Sequence, residues 1–167
     1  MMRKKIQIGD RRTGLNEPVY IIAEAGVNHN GSFDLAIKLI EEAKKTGANC
    51  VKFQTFKAKN IITKEAPKAQ YQMKVTDPKE TQYEMLEKLE LTKDEYAKLI
   101  SHCEEIGIKF LSTPYNKEDA DFLMELGVSA FKIASGQLVE LPLLRHVSRL
   151  GKPIIISSGM ANLAEVY

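Results

Sequence analysis

Four times along the chain a glycine stands just ahead of an apolar run that ends on polar side chains. Gly47 precedes Ala48 to Gln54, Gly107 precedes Lys109 to Ser112, Gly127 precedes Ala130 to Ala134, and Gly151 precedes Pro153 to Ser157. Another apolar run, Tyr20 to Ala25, opens the series and carries Glu24 near its end. Between the runs apolar residues recur at helical spacing, as Leu35, Leu39, Ile40 and Ala43 do within Phe33 to Thr46. Start signals agree with this reading: Ser32 caps the first helix, Thr92 with Glu95 forms a capping box, Asn116 with Asp119 and Asn162 with Glu165 open later helices, and Leu141 to Arg149 makes a short one. Strand, helix, glycine, strand is the order of a parallel α/β sheet with right-handed crossovers, whose strands are covered on both faces.

Two architectures share that order. A doubly wound sheet binding dinucleotides carries a G-x-G-x-x-G turn after its first strand, and Gly26 to Gly31 does not match it. A (β/α)8 barrel gathers polar residues at the C-terminal end of every strand. Here those ends carry Glu24, Lys52 with Gln54, Ser112 with Thr113, Lys132 with Ser135, and Ser157 with Ser158. The expected fold is therefore α/β of the (β/α)8 TIM-barrel type, with about five of eight βα units in the 167 residues, which are expected to be part of a longer protein. Residues 56–91 interrupt the rhythm as a long insertion, the kind of segment used as a lid or binding loop. Lys79 to Leu89 within it has a helical pattern, and Lys5 to Ile8 is expected as a short edge strand.

Charge and composition exclude several functions. A net charge of +2 gives no footprint for nucleic acid or a membrane surface, and no apolar run nears the length of a membrane span, about 18 residues. Met1 to Lys5 lacks the apolar stretch of a secretory signal. Cys50 and Cys103 lie in a strand and a helix and are expected as reduced packing residues. A cytoplasmic protein acting on small molecules is the expectation.

The strand-end residues share a chemistry: two lysines, several hydroxyls, amides and one carboxylate, Glu24. Lys52 and Lys132 on one rim suit an anion with more than one charged group, and Thr113, Ser135 and Ser157 could complete a phosphate cradle. Either lysine could instead form a Schiff base.

Six stretches carry a resemblance: I-A-E-A-G-V-N-H-N-G (22–31), V-K-F-Q-T-F-K-A (51–58), A-P-K-A-Q-Y-Q (66–72), F-L-S-T-P-Y (110–115), F-K-I-A-S-G (131–136) and K-P-I-I-I-S-S-G-M (152–160). Together they resemble the sialic acid synthases, phosphoenolpyruvate-dependent enzymes that make N-acetylneuraminate and related nonulosonates. The resemblance implies that residues 1–167 are the N-terminal part of the barrel of a homodimeric synthase. It implies condensation of phosphoenolpyruvate with an N-acetylmannosamine-type aldehyde and release of phosphate. Lys52, Thr113, Ser135 and Ser157 then match positions that hold phosphoenolpyruvate, Lys132 the one that holds its carboxylate, and Glu24 an acid facing the sugar. Gln54 joins them as a substrate-binding residue. A divalent cation, manganese or magnesium, is implied, with histidine ligands from later strands, so that His29, His102 and His146 are not expected as ligands. Gln137 stands where the family usually carries glutamate, and an amide cannot take a proton. The base role would then fall elsewhere, for instance to Glu24. Legionaminic or pseudaminic acid synthesis, or an inactive half-barrel, are the alternatives, and this 167-residue stretch alone is expected to turn over nothing.

Overall fold

The computed structural model describes residues 5–73, 76–77 and 79–166; Met1 to Lys4 of the basic start lie outside them. A two-stranded antiparallel hairpin comes first, β1 (Ile6–Ile8) with β2 (Arg11–Thr13), turning at Gly9 and Asp10. The expected edge strand is thus paired, but within its own small sheet. The barrel begins with β3 (Ile22–Gly26), followed by α1 (Phe33–Lys45), β4 (Cys50–Thr55), the short helices α2 (Ala58–Ile61), α3 (Gln70–Met73) and α4 (Gln82–Glu87), and then α5 (Lys93–Ile106). After these come β5 (Lys109–Pro114), α6 (Lys117–Glu125), β6 (Phe131–Ile133), a 3-10 turn at Ser135–Gln137, α7 (Leu141–Arg149), β7 (Ile154–Ile156) and α8 (Leu163–Val166).

Strands β3, β4 and β5 form one parallel ladder, β6 and β7 another, and β5 lies beside β6. The helix starts are those the sequence signals: Ser32, Thr92 and Asn116 each accept a backbone N–H through their side chains, and Thr92 and Glu95 form the reciprocal box. Gly107 ends α5 in the left-handed conformation.

Alternation along the strands divides two environments. Val51, Phe53, Phe110, Phe131 and Ile133 face the helices and form the main core with Ile40, Leu99, Leu123 and Val147. On α1 the buried stripe is Ala36, Ile40 and Ala43, while Leu35 of the expected stripe is exposed. Cys50, Leu111 and Ala130 face the other way and form a smaller cluster with Ile8. The hairpin thereby places one apolar side chain against the N-terminal end of the inner face. Both cysteines are buried free thiols, and burial pushes each up to about 12. Among the described residues no helix is long and apolar enough to cross a membrane.

The insertion is ordered by polar ties to itself. Glu90 accepts from the Ala58 N–H and from Lys57 Nζ (2.6 and 2.8 Å), joining the two ends of the segment. Lys68 donates to Thr76 Oγ1, the Asp77 carbonyl and Glu80 Oε1, and only 3% of its side chain is exposed. The helical pattern at Lys79 to Leu89 is realised as α4, with a Thr81–Glu84 capping box.

Candidate active site

The inner face runs from the apolar cluster at its N-terminal end to a charged end. Glu24, Lys52, Gln54, Thr113 and Lys132 all lie on this face near the C-terminal ends of their strands, with Glu24 opposite Lys52 and Gln54 opposite Thr113 in register. Lys52 Nζ meets Glu24 Oε2 at 2.5 Å. The β3–β4 register shifts between Glu24 and Gly26, and Gly26 has a φ of 55° that a side chain would strain.

The run containing Glu24 reads from its sequence as a strand covered on both faces, its acid needing a polar cavity or a partner. The structure corrects this: Glu24's side chain is 54% exposed and Ile21 is also 54% exposed. The carboxylate pairs with Lys52. Ser112 also departs from expectation. It faces the helices, its hydroxyl sharing a hydrogen bond with Thr55 at 2.7 Å, while its neighbour Thr113 faces inward.

Among the described residues Lys132 has no counterion. Its Nζ donates to Ser157 Oγ (2.5 Å) and to the Ile133 carbonyl (2.7 Å), and among the described residues it makes no ion pair. Burial holds its ammonium below the usual lysine range; the positive charge of Lys52 acts in the same direction and Glu24 opposes both. Four expected site residues, Glu24, Lys52, Lys132 and Ser157, are thus coupled by contact or charge. Gln54 and Thr113 stand beside them, and Ser135 opens the turn after β6 without a side-chain hydrogen bond among the described residues.

Gln137 is engaged by the main chain. Its buried carboxamide donates to the Pro114 carbonyl (3.0 Å) and accepts from the Ala134 N–H (3.3 Å), clasping the ends of β5 and β6 together. A glutamate carboxylate could satisfy the second bond but would face the Pro114 carbonyl without a proton to donate. Gln137→Glu is expected to cost about 1–3 kcal/mol at pH 8. Protonation restores a donor, so the loss shrinks as pH falls; urea midpoints at pH 8 and pH 5 measure it.

His29 anchors the loop after β3. It is 1% exposed, packs against Phe53 (ring centroids 5.9 Å apart), and its Nδ1 accepts from the Gly31 N–H (3.1 Å). Nε2 therefore carries the proton of the neutral ring, and it has no partner among the described residues. Burial holds the imidazole below the usual histidine range, against a smaller opposing pull from Glu95. The unfolded chain takes up the proton first, so stability is full above about pH 6.5 and is lost as pH falls through the lower native value. His29→Asn is expected to flatten the fall in urea midpoint between pH 7.5 and pH 5.5. Beside it, Gly31 has a φ of 75°, and a Cβ there would lie 2.1 Å from the Lys88 carbonyl oxygen. Only glycine lets this loop meet the insertion so closely.

Between that loop, the end of β4 and the insertion lies a cavity of about 660 Å³ that opens beside Gln54. Its lining includes Asn28, Asn30, Gln72, Gln82 and Tyr115, none of them singled out as a site residue from the sequence. Tyr115 donates to Gln54 Oε1 at 3.0 Å, and its own N–H is held by buried Asp119, whose carboxyl burial pushes up to about 6. Among the described residues no cluster of three or more His, Cys, Asp or Glu side chains is arranged to hold a metal ion. His102 and His146 lie on outer helices beside Glu41 and Asp121.

A model of the NeuB family matches residues 39–167. The chain belongs to the NeuB family. Among NeuB relatives, the N,N'-diacetyllegionaminic acid synthase of Campylobacter jejuni is 53% identical over 146 residues, covering 87% of this chain and 44% of that protein. The synthase of the same description from Legionella pneumophila is 44% identical over 158 residues, covering 95% of this chain and 44% of its own length. The chain thus spans about half the length of the curated relatives it matches. The solved N-acetylneuraminic acid synthetase of Leptospira borgpetersenii superposes with a TM-score of 0.82 at 31% identity, over 98% of this chain and 53% of that one. The fold is the TIM-barrel type of the NeuB synthases, here five βα units of it.

Proposed function

We propose that the full-length protein carrying this NeuB chain condenses phosphoenolpyruvate with the open-chain aldehyde of an N-acylated mannosamine-type sugar, giving a nonulosonic acid and inorganic phosphate. The observation that carries this reading is Lys132. It is a partly buried ammonium with no counterion among the described residues, placed beside Ser157 and near a second lysine at the polar end of the inner face. Such a pair suits a substrate with two anionic groups on one small skeleton. In the proposed arrangement Lys132 takes the carboxylate, and Lys52 with Thr113, Ser135 and Ser157 takes the phosphate. The enol C3 attacks the aldehyde carbon, positive charge develops at C2, and water adds there before phosphate leaves. Glu24, half-exposed and negatively charged, faces that developing charge.

N-acetylmannosamine, leading to N-acetylneuraminate, is the first acceptor to consider. The Campylobacter and Legionella relatives favour a second reading, in which a doubly acetylated sugar gives a legionaminic-type product. The test is phosphate release by the full-length protein, requiring both phosphoenolpyruvate and an acceptor, with carbon-13 at the enol C3 reporting the new carbon–carbon bond. Phosphate release that needs no acceptor, or none with either acceptor, would sink the proposal.

A further inference from the structure

Tyr115 stands in the turn from β5 into α6, and its placement is fixed from several sides. Asp119, 7% exposed, accepts its N–H at 3.3 Å, and the carbonyl of the preceding Pro114 accepts from Gln137 at 3.0 Å. Its ring meets that of Phe56 edge-on, with centroids 5.8 Å apart at 75°. The hydroxyl that reaches Gln54 Oε1 (3.0 Å) therefore comes from a held backbone and a held ring. The main chain of Gln54 is tied separately, its carbonyl accepting from the Tyr96 hydroxyl at 2.6 Å. Neither bond belongs to the β4–β5 ladder, in which Gln54 is already in register with Thr113.

With its oxygen engaged, Gln54 turns its amide nitrogen toward Glu24. A Cβ added at Gly26 would lie 3.7 Å from Gln54 Nε2 and 3.1 Å from Glu24 Oε1, so both groups border the space that Gly26 leaves open. The reverse orientation would set the amide oxygen on the Glu24 side, where it and the carboxylate are acceptors with no proton between them. Among the described residues that amide nitrogen makes no hydrogen bond, which leaves it as a donor at the polar end of the inner face. We propose that Tyr115 is a positioning residue for the condensation: its hydroxyl holds the Gln54 carboxamide in one orientation, so that a substrate meets a fixed N–H donor beside Glu24. This rests on the synthase reading above and adds a residue that acts through another. An unheld glutamine samples several rotamers and both amide orientations, and ordering it anew on each substrate costs about ten-fold.

The experiment is a double-mutant cycle in the full-length protein, with Tyr115→Phe, Gln54→Ala and the two combined, read as kcat for phosphate release. Tyr115→Phe keeps the ring and removes only the hydroxyl. It is expected to lower kcat about ten-fold, with the KM for phosphoenolpyruvate within about two-fold of the parent and the melting midpoint within about 4 °C. In the Gln54→Ala background the same change is expected to lower kcat by less than about two-fold, because the group it holds is gone. A crystal structure of the Tyr115→Phe protein is expected to show the Gln54 carboxamide in more than one orientation. Losses that multiply in the double variant would show that Tyr115 acts on the substrate itself. A kcat for Tyr115→Phe within about two-fold of the parent, or one unchanged carboxamide in its crystal structure, would show that Gln54 needs no holding. Each of these overturns the inference, while phosphate release by the parent leaves the synthase reading standing. Absence of phosphate release by the parent with either acceptor removes both.

Discussion

Lys132→Met in the full-length protein is expected to lower kcat/KM for phosphoenolpyruvate by about 10²–10³-fold, the usual loss when one fixed group opposite a substrate charge is removed. Methionine nearly preserves the length of the side chain but takes away the charge. The packing cost is small, because Lys132 makes no ion pair among the described residues and burial already disfavours its ammonium. Thermal midpoints should therefore match or exceed the parent's. Lys132→Arg should recover part of the activity, since it restores charge at altered geometry. Steady-state phosphate release and a melting curve on the same preparations provide the check. A loss below three-fold would show that the substrate's charges are held elsewhere.

Phe53→Ala is expected to carry the largest stability effect, about 3–5 kcal/mol. Phe53 is fully buried on the outer face of β4, stacked on Phe110 with ring centroids 5.4 Å apart and packed against His29. Removing the ring opens a void at the centre of the three-stranded ladder, where strands on both sides limit collapse. It also withdraws the surface on which the His29 loop rests, so the cavity beside Gln54 should lose definition. Urea unfolding followed by circular dichroism measures the first effect, and proteolysis within residues 27–31 the second. A loss under 1 kcal/mol would show that the core repacks around the gap.

Much of this fold was legible in the sequence, for a physical reason. The glycines before the strands, the side-chain caps of Ser32, Thr92 and Asn116, and the polar strand ends are local signals, and the helices and strands follow them closely. What lay beyond local signals was orientation. Ser112 and Thr113 are adjacent hydroxyls, and only the register with β4 sends one outward to Thr55 and the other inward beside Gln54. Glu24 stands in an apolar run, and it is the register with β4 that sets it opposite its partner Lys52. Gln137 could be named from a departure in pattern, but its bond to the Pro114 carbonyl joins residues 23 positions apart, and no local rule contains it. The insertion was the least legible part. Its helices are too short to stand alone and depend on Glu90 and Lys68 reaching across the segment.

Those cross-ties divide the labour between two kinds of sequence. Residues expected to handle the phosphate-bearing partner ride on barrel strands, where a shift in one would disturb every neighbour. The far wall of the cavity beside Gln54 sits on a segment that closes on itself through Glu90 and meets the barrel rim at Gly31. Such a segment can be exchanged as a cassette, reshaping the cavity it walls while the barrel strands are inherited unchanged.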